Sequence, residues 1–594
     1  MNAPFDKSLP SPIAAVLELR ASSEDSVVIP GRLSDVQRRQ RIKTAIGERI
    51  LEEVRGPEPP TVVLISGSAG GGKSLEISEL AEHAPNEFER ILEDATHAEA
   101  PDQDQHEQLV DFFAPLRDGA PPATGKPRLI AMNTGMVIRF FDQLREVRGE
   151  AHGFTALEAR LRERLELPRA PLGEAELPGR VLVVNLDLRP TAGGNETLFA
   201  RMLAALDPDD PDGIMGGAPR CGTCAVRDWC FVRTNAKIIS GGAARDALDG
   251  AAEELARERG RFLQPRALWD LAADVVTGGE PFDQPDPCDR IAELAAAGDP
   301  VPVWQRIASN GAFVEPRGLT AASLRQLDPS YRPSDRAHEL FGRTGIEPAA
   351  DAQRLRDYLG GGGREAVETA ATALERLLED DGAVRVPAAR GLVRAAALAG
   401  EFAFAAAGAD AFRGALTEYR AFPDADSDYH ELHELRGLLA RALALAFGEI
   451  VGAESFFRTE AYDPRRDYAV LVGVEIEQEL RPVPDPRRLA NPEGATLVGY
   501  EPLAVAFELA GVRLDLDLPL YRLVLETVGG TTPSSADLER FYGLRRAAEA
   551  LGRIAADDHS RPLLITERLT GGRFRVAQTP DLRGQPNLTV RPVH

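Results

Sequence analysis

The chain has 594 residues, enough for several domains and a large buried core. Its formal net charge of −24 repels nucleic acid and anionic membranes over the chain as a whole, so contact with DNA has to be local or made through a partner. Four cysteines at this length are no disulfide framework, the opening MNAPFDKSLPSPIAAVLELR has no basic region followed by an apolar core, and the Ala-rich stretch Ala395–Ala407 is cut by Glu401. These features predict a reducing cytoplasm and no membrane association.

Residues 1–30 read as a poorly structured lead-in. Leu33–Val54 reads as a helix, because Val36, Ile42, Ile46, Ile50 and Val54 recur at helical spacing. Arg38, Arg39, Arg41, Lys43 and Arg49 occupy the remaining surface, which is either a solvated face or one for DNA or an acidic partner. Thr61–Ile65 is an unbroken apolar run after Pro59 and Pro60, as in a strand buried on both faces of a parallel sheet. It leads into Gly67, Ser68, Ala69, Gly70, Gly71, Gly72, Lys73 and Ser74, which fit the pattern GxxxxGK[ST]. That spacing predicts a phosphate loop binding ATP and magnesium. Glycines let backbone N–H groups curl round the phosphates, Lys73 reaches the β and γ phosphates, Ser74 ligates magnesium, and the helix opening at Lys73 adds its positive end. The other lysines are Lys7, Lys43, Lys126 and Lys237, so lysine here is not background usage in an arginine-rich chain.

Phe88–Thr96 reads as a second strand ending in Glu93 and Asp94, Asp104–Leu116 as a helix, Arg128–Met132 as a third strand ending at Asn133, Met136–Val147 as a helix, and Val181–Leu188 as a fourth strand. Such alternation predicts an α/β nucleotide-binding core, a parallel sheet with helices on both faces and the ligand at the strands' carboxyl ends. An ATPase needs an acid to hold magnesium through water and polarise the attacking water. Asp94, with Glu93, is the first candidate and Asp187 the alternative, since AAA+ modules usually place another strand-helix unit between the loop and the acid. Asn133 is positioned either to sense the γ phosphate or to cap the next helix.

Residues 208–235 are loop-like and carry Cys221, Cys224 and Cys230. With the distant Cys288 they form a candidate site for zinc or an iron-sulfur cluster, the alternative being reduced thiols packed in a small loop domain. Glu253–Gly278 is helical, and Arg266 in QPRALWDL stands where an AAA+ lid arginine would touch the γ phosphate. Residues 281–360 read as irregular connections with short helices, Gly360–Gly363 as a hinge, and Arg364–Val451 as helical. His430 and His433 lie at the wrong interval for a zinc motif and read as a solvated helix face. From Tyr468 the chain becomes β-rich, with strand patterns through Leu471, Val474 and Ile476 and through Val512–Leu518. A helix over Ser535–Ala556 and a hairpin of Leu563–Thr566 with Arg573–Ala577 follow, a DNA-reading wing or a protein-contact module.

Several of these segments, in this order, resemble the ATP-binding subunit of DNA phosphorothioation-dependent restriction systems, the DptF type. They are the phosphate loop, RILEDAT, LIAMNTGMVIRF, CGTCAVRDWCFVRTN, QPRALWDL, LDPS at Leu327–Ser330, and LDLDLPLYRLVLETVGGTTPSSAD. The usual proline after the third cysteine is Phe231 here. The resemblance implies a bacterial defence ATPase that works with other subunits of a restriction complex on DNA lacking the host's sulfur modification. No nuclease constellation is present, so cleavage would belong to a partner. The expected organisation is an N-terminal arm and basic helix (1–58), a P-loop NTPase core of AAA+-like type (59–205), a cysteine-bearing insertion (206–240), a lid-like region (241–360), a helical domain (361–460) and an α+β C-terminal module (461–594). Homo-oligomerisation stays open. The rival expectation is a nucleotide-gated signalling or scaffold protein that binds ATP with little turnover.

Overall fold

The structure is a computed structural model. It describes the chain from Phe5 to Val593 except residues 21–33, 94, 96–103, 124, 169–175, 194–195, 315–316, 332–338, 341–344, 361–363, 381, 405–407, 424–428, 460–466, 557, 559 and 581–585. It divides into two compact units, one of Met1–Ala406 with Ala490–Tyr500 and one of Ala407–Leu489 with Glu501–His594. Asp94 and most of the Gly360–Gly363 hinge lie outside the described residues.

The first unit is built on a four-stranded parallel sheet of β1 (Val62–Ser66), β2 (Arg90–Leu92), β3 (Arg128–Met132) and β4 (Val181–Asn185), in the order β2-β3-β1-β4. Alternation along each strand divides its side chains between two cores. Val62, Leu64, Ile130, Met132, Val181 and Val183 pack with Phe112, Phe113, Phe140 and Leu157 on one face. Val63, Ile65, Leu129, Ala131, Leu182 and Val184 pack with Ile46, Ile50, Ile77 and Leu80 on the other. This is why the strands read as continuous apolar runs. The connection from β1 to β2 moves one way across the sheet, and those from β2 to β3 and β3 to β4 move the other way. A uniform crossover hand therefore puts helix Lys73–His83 on one face and helices Gln105–Phe112, Thr134–Arg148 and Thr155–Arg164 on the opposite one, as observed. The loops leaving β1 and β3 consequently part at the carboxyl edge, where such sheets bind ligands.

The N-terminal expectations need correction. Residues Pro12–Leu17 form a helix within the supposed lead-in, capped by Ser11 and burying Ile13 and Val16. The single helix expected over Leu33–Val54 is two, Asp35–Arg39 and Ile46–Arg55. The break spans residues 40–45, and at its end the Thr44 hydroxyl donates to Glu76 at 2.6 Å while accepting the Ile46 N–H at 3.2 Å, where the new helix starts. Three of the basic residues there bind their own chain: Arg39 the Gly213 carbonyl, Arg41 the Glu82 carboxylate and Arg49 the Leu497 carbonyl. The fourth strand stops at Asn185, whose side chain accepts the Asp187 N–H and turns Leu186–Leu188 into a 3-10 helix.

Downstream, Gly242–Arg259 and Pro265–Thr277 are separate helices, split where Gly260 takes a left-handed conformation and Pro265 opens the second. The region 281–360 is more helical than its composition suggests, because Pro287 and Pro348 stand at first helical positions rather than inside the helices. Helices Arg364–Glu379 and Arg385–Leu398 belong to the first unit. The helix Pro492–Val498 also joins it, covering the edge strand β4: Asn491 caps it, accepting the Gly494 N–H, and donates to the Val183 carbonyl at 2.9 Å.

The second unit contains helices Ala409–Ala421 and His430–Phe447 and two antiparallel sheets. The larger has β5 (Glu449–Val451), β6 (Glu454–Arg458), β7 (Tyr468–Val474), β11 (Leu563–Glu567), β12 (Arg573–Pro580) and β13 (Pro586–Pro592), ordered β13-β12-β11-β7-β6-β5. The smaller has β8 (Arg481–Pro482), β9 (Ala504–Leu509) and β10 (Val512–Asp517). The expected hairpin is present as β11 paired with β12. Strand β10 ends at Asp517, which caps helix Leu518–Val528, so Leu518 is helical. The expected Ser535–Ala556 helix breaks at Phe541. His430 and His433 sit exposed on their helix.

A methyl group at Gly494 would collide with the Val183 carbonyl oxygen. Gly494→Ala is therefore expected to cost roughly 1–3 kcal/mol and to lower the thermal midpoint of the first unit, read by calorimetry. An unchanged midpoint would show that helix 492–498 does not press on β4.

Candidate functional site

Between β1 and helix Lys73–His83 the backbone turns through Gly67, Gly70 and Gly72, at φ +146°, +83° and +94°, a region open mainly to glycine. Gly72 is the residue before the first helical turn, so the amides of that turn face the loop, where backbone groups have no partner inside the helix. The Lys73 ammonium donates to the Gly67 and Ser68 carbonyls, both at 2.8 Å. Ser74 is exposed at the second helical position.

Groups from elsewhere fix this loop. The Ser68 N–H donates to both Asp187 carboxylate oxygens at 2.9 Å, and the Ser68 hydroxyl to one of them at 2.8 Å. Arg189, two residues on, is buried, with its guanidinium 3.2 Å from the Gly71 carbonyl and 3.2 Å from Glu76. Burial pushes the Glu76 carboxyl above the ordinary range against the pull of the Thr44 hydroxyl and Arg189, and lowers the Arg189 guanidinium against the pull of Glu76. On the loop's other flank lies the start of helix Pro265–Thr277. The Arg266 N–H stands 3.4 Å from the Gly70 carbonyl, and a methyl on Gly70 would come within 3.0 Å of the Arg266 Cβ.

The residues singled out from the sequence fall into three places. Gly67–Ser74 and Arg266 come together at the loop, joined by Asp187. Asn133 ends β3, the strand beside β1, and its side chain caps helix Thr134–Arg148, accepting the Met136 N–H at 2.7 Å. Glu93 follows β2, two strands from β1 and so about 10 Å away across the sheet. The arginine at the loop that sequence reading passed over is Arg189. Its signal was LDLRP, a cation two residues beyond an acid just past the strand beside β1.

The four cysteines, all free thiols, line one small cavity of about 20 Å³ in the first unit. Cys221 lies in the short helix Pro219–Gly222, Cys224 in the turn after it, Cys230 just before helix Phe231–Ile239, and Cys288 in the first turn of helix Pro287–Ala297. Burial pushes the Cys221 thiol up to about 11 and raises Cys230 and Cys288 too, the reverse of what a redox-active CxxC requires. Phe231 stands at the first position of its helix, a place that accepts proline, and is fully buried. Among the described residues, no group of three or more His, Cys, Asp and Glu side chains is placed to hold one metal ion.

Fold and loop together define a protein with a parallel α/β domain whose glycine-rich strand-to-helix turn lies at the sheet's carboxyl edge. No protein-family model, curated protein or solved structure matches the chain.

Arg189→Met would leave Glu76 buried without its cation, an expected loss of about 3–5 kcal/mol. The folded state holds the Glu76 proton more tightly than the unfolded chain does. That contribution favours folding at acidic pH and is lost as pH rises through the folded pKa. Denaturant melts should therefore show a larger loss for the variant at mildly alkaline than at mildly acidic pH. Equal losses would remove Glu76 from the account.

Proposed function

We propose that this chain is a P-loop ATPase of AAA+-like type, binding ATP and magnesium at Gly67–Ser74 and serving as the ATP-hydrolysing subunit of a bacterial DNA restriction system. The observation that carries the reading is the junction of β1, a loop with three glycines at positive φ, and a helix opening at Lys73, surrounded by Lys73, Arg189 and Arg266. Such a turn offers backbone N–H groups and a helix end to an anion. A triphosphate, carrying full charge, would draw Lys73 from the Gly67 and Ser68 carbonyls it now binds. Arg189, held in place by Glu76, would add positive charge beneath the loop, and Arg266 would follow the γ phosphate from the helix that touches Gly70. Magnesium, held by the Ser74 hydroxyl and through water by Asp94 or Asp187, would neutralise the phosphate oxygens. Asp94 with Glu93, or else Asp187, would orient the attacking water, and Asn133 would report on the γ phosphate.

The restriction role rests on the ordered resemblance along the chain, and implies action with partner subunits on DNA lacking phosphorothioate. The net charge of −24 favours reaching DNA through those partners, more so because Arg39, Arg41 and Arg49 are engaged within the chain. Among the described residues no helix is long and apolar enough to cross a membrane.

One observation favours the second reading, a nucleotide-gated switch with little turnover. Both polar side chains beyond the strands flanking β1 are occupied in holding backbone, Asn133 as a helix cap and Asp187 on Ser68. Phosphate release separates the two: continued release stimulated by DNA or partner supports the ATPase, and one stoichiometric burst with retained nucleotide supports the switch.

Lys73→Ala is expected to abolish ATP binding in titration calorimetry while leaving the fold intact by circular dichroism. Unchanged affinity would refute the phosphate-loop reading.

A further inference from the structure

We propose that the outer face of β11, β12 and β13 is a docking site for one amphipathic helix of a partner protein, apolar on the side it buries and acidic along its flanks. The proposal concerns the second unit alone and does not depend on the nucleotide reading.

Strand register decides which side chains share that face. Val470, Ile565, Phe574 and Pro592 stand directly opposite one another across β7, β11, β12 and β13, and so do Val472, Leu563, Val576 and Val590. Residues directly opposite point to the same side of a sheet, as does every second residue along a strand, so Tyr468 and Leu588 join them. On the inner side the sheet curls round Phe456, Leu471 and Leu564, and the Arg573–Glu449 and Arg575–Glu454 ion pairs lie there. The outer rows are covered at one end only. Phe457, Val472 and Val474 are buried where helix Tyr542–Ala556 packs on β6 and β7. Beyond that helix Tyr468, Leu588 and Val590 are 53%, 69% and 60% exposed, and Val470 and Phe574 are exposed as well. A contiguous apolar patch left in water marks a surface that another molecule covers.

Width and charge identify the occupant. Strands β11 and β13 lie about 10 Å apart across β12, and a helix is about 10 Å across. One helix therefore fills the space beside Tyr542–Ala556 and completes the layer that helix begins. A strand added at the edge fits less well. The Val593 N–H donates to the Arg573 carbonyl, which turns the backbone groups of residues 586, 588, 590 and 592 toward the open edge of β13. Two of these are prolines, Pro586 and Pro592, and offer no N–H to a new strand. Charge sets the flanks. Although the chain is acidic overall, Arg546 and Arg553 are exposed on the helix that borders the face on one side, and Arg591 is exposed on the strand that borders it on the other. The nearby carboxylates are occupied: Glu549 pairs with Arg545, and Glu567, opposite Tyr468, accepts the Thr570 hydroxyl. An apolar stripe with acidic groups on both sides meets this arrangement, whereas basic groups there would face arginines.

The test uses the full chain and two labelled synthetic helices of the same length as Tyr542–Ala556, 15 residues. Both carry one leucine face, with glutamates along the flanks of the first and lysines in their place on the second. Fluorescence anisotropy is expected to show the acidic helix binding about tenfold or more tightly than the basic one, with amide exchange slowed on β11, β12 and β13. Val590→Glu is expected to weaken that binding about tenfold or more, and Arg591→Glu to reduce the preference for the acidic helix. Both side chains are exposed, so each variant keeps its fold, which circular dichroism checks. Failure of the acidic helix to bind, equal binding of the two helices, or binding that Val590→Glu leaves unchanged overturns the proposal. So does sedimentation that shows a dimer dissociated by Val590→Glu, because a second copy of the chain would then be the occupant.

Discussion

The clasp between Asp187 and Ser68 is the contact on which the arrangement at the sheet's carboxyl edge depends. A loop with glycines at Gly67, Gly70, Gly71 and Gly72 has few side chains of its own to hold a shape and loses much conformational freedom when fixed. What fixes it comes from distant parts of the chain. Asp187 takes the Ser68 N–H and hydroxyl from beyond β4, Arg189 takes the Gly71 carbonyl, and the start of helix Pro265–Thr277 lies against Gly70. Both charged groups from beyond β4 sit at the loop because β4 pairs with β1 in parallel register, Ser66 opposite Asn185. The order of strands in the sheet thus decides which residues can serve the loop.

This explains what could and could not be read from sequence. Residues Val62–Ser66 and Arg128–Met132 were legible because strands buried on both faces have to be apolar throughout, and the loop was legible because its spacing follows from its backbone geometry. Helix breaks were less so. Thr44 accepts the Ile46 N–H at the start of the second helix while Glu76, on a different helix, accepts its hydroxyl. Nor does any local pattern mark Ala490–Tyr500 as part of the first unit. Asn491 acts there through the carbonyl of Val183, far away in sequence. Prolines misled between 281 and 360, since Pro at the first position of a helix and Pro in an irregular loop look alike in composition. The acidic residues near the sheet's carboxyl edge carry the same lesson. Glu93 was the nearer along the chain, but only the pairing of β4 with β1 shows that Asp187 lies against the loop while Glu93 stands two strands from β1.

Several of the segments singled out in the sequence include residues that join one element to the next. QPRALWDL opens the helix that meets Gly70. LDPS places Asp328, buried, in contact with Arg394 at 2.7 Å, while its carboxylate also takes the Ser330 N–H and hydroxyl. The end of β10 in LDLDLPLY turns into a helix through Asp517. A buried ion pair such as Asp328–Arg394 contributes little net stability but is costly to break, so it fixes the position of its elements more than it strengthens them. Such sequence features therefore mark how neighbouring elements within each unit are held in place.

Helix Pro265–Thr277 of the first unit runs from the glycine loop toward the cysteine-bearing segment. Its first turn touches the glycine loop. At its other end the Val275 and Val276 carbonyls accept from the buried Asn235 side chain, which belongs to helix Phe231–Ile239, directly after Cys230. The helix has 13 residues and so spans about 20 Å. Asn235 also takes the Ala308 N–H and donates to the Arg306 carbonyl, so this end is fixed to several segments at once. A displacement of Arg266 on nucleotide binding would have to move the helix as a body or tilt it about the Asn235 anchor, because close packing does not let it deform gradually. Contiguity alone is not coupling: a change at the cysteine-bearing segment matters to the loop only if the two ends favour different positions of this one helix.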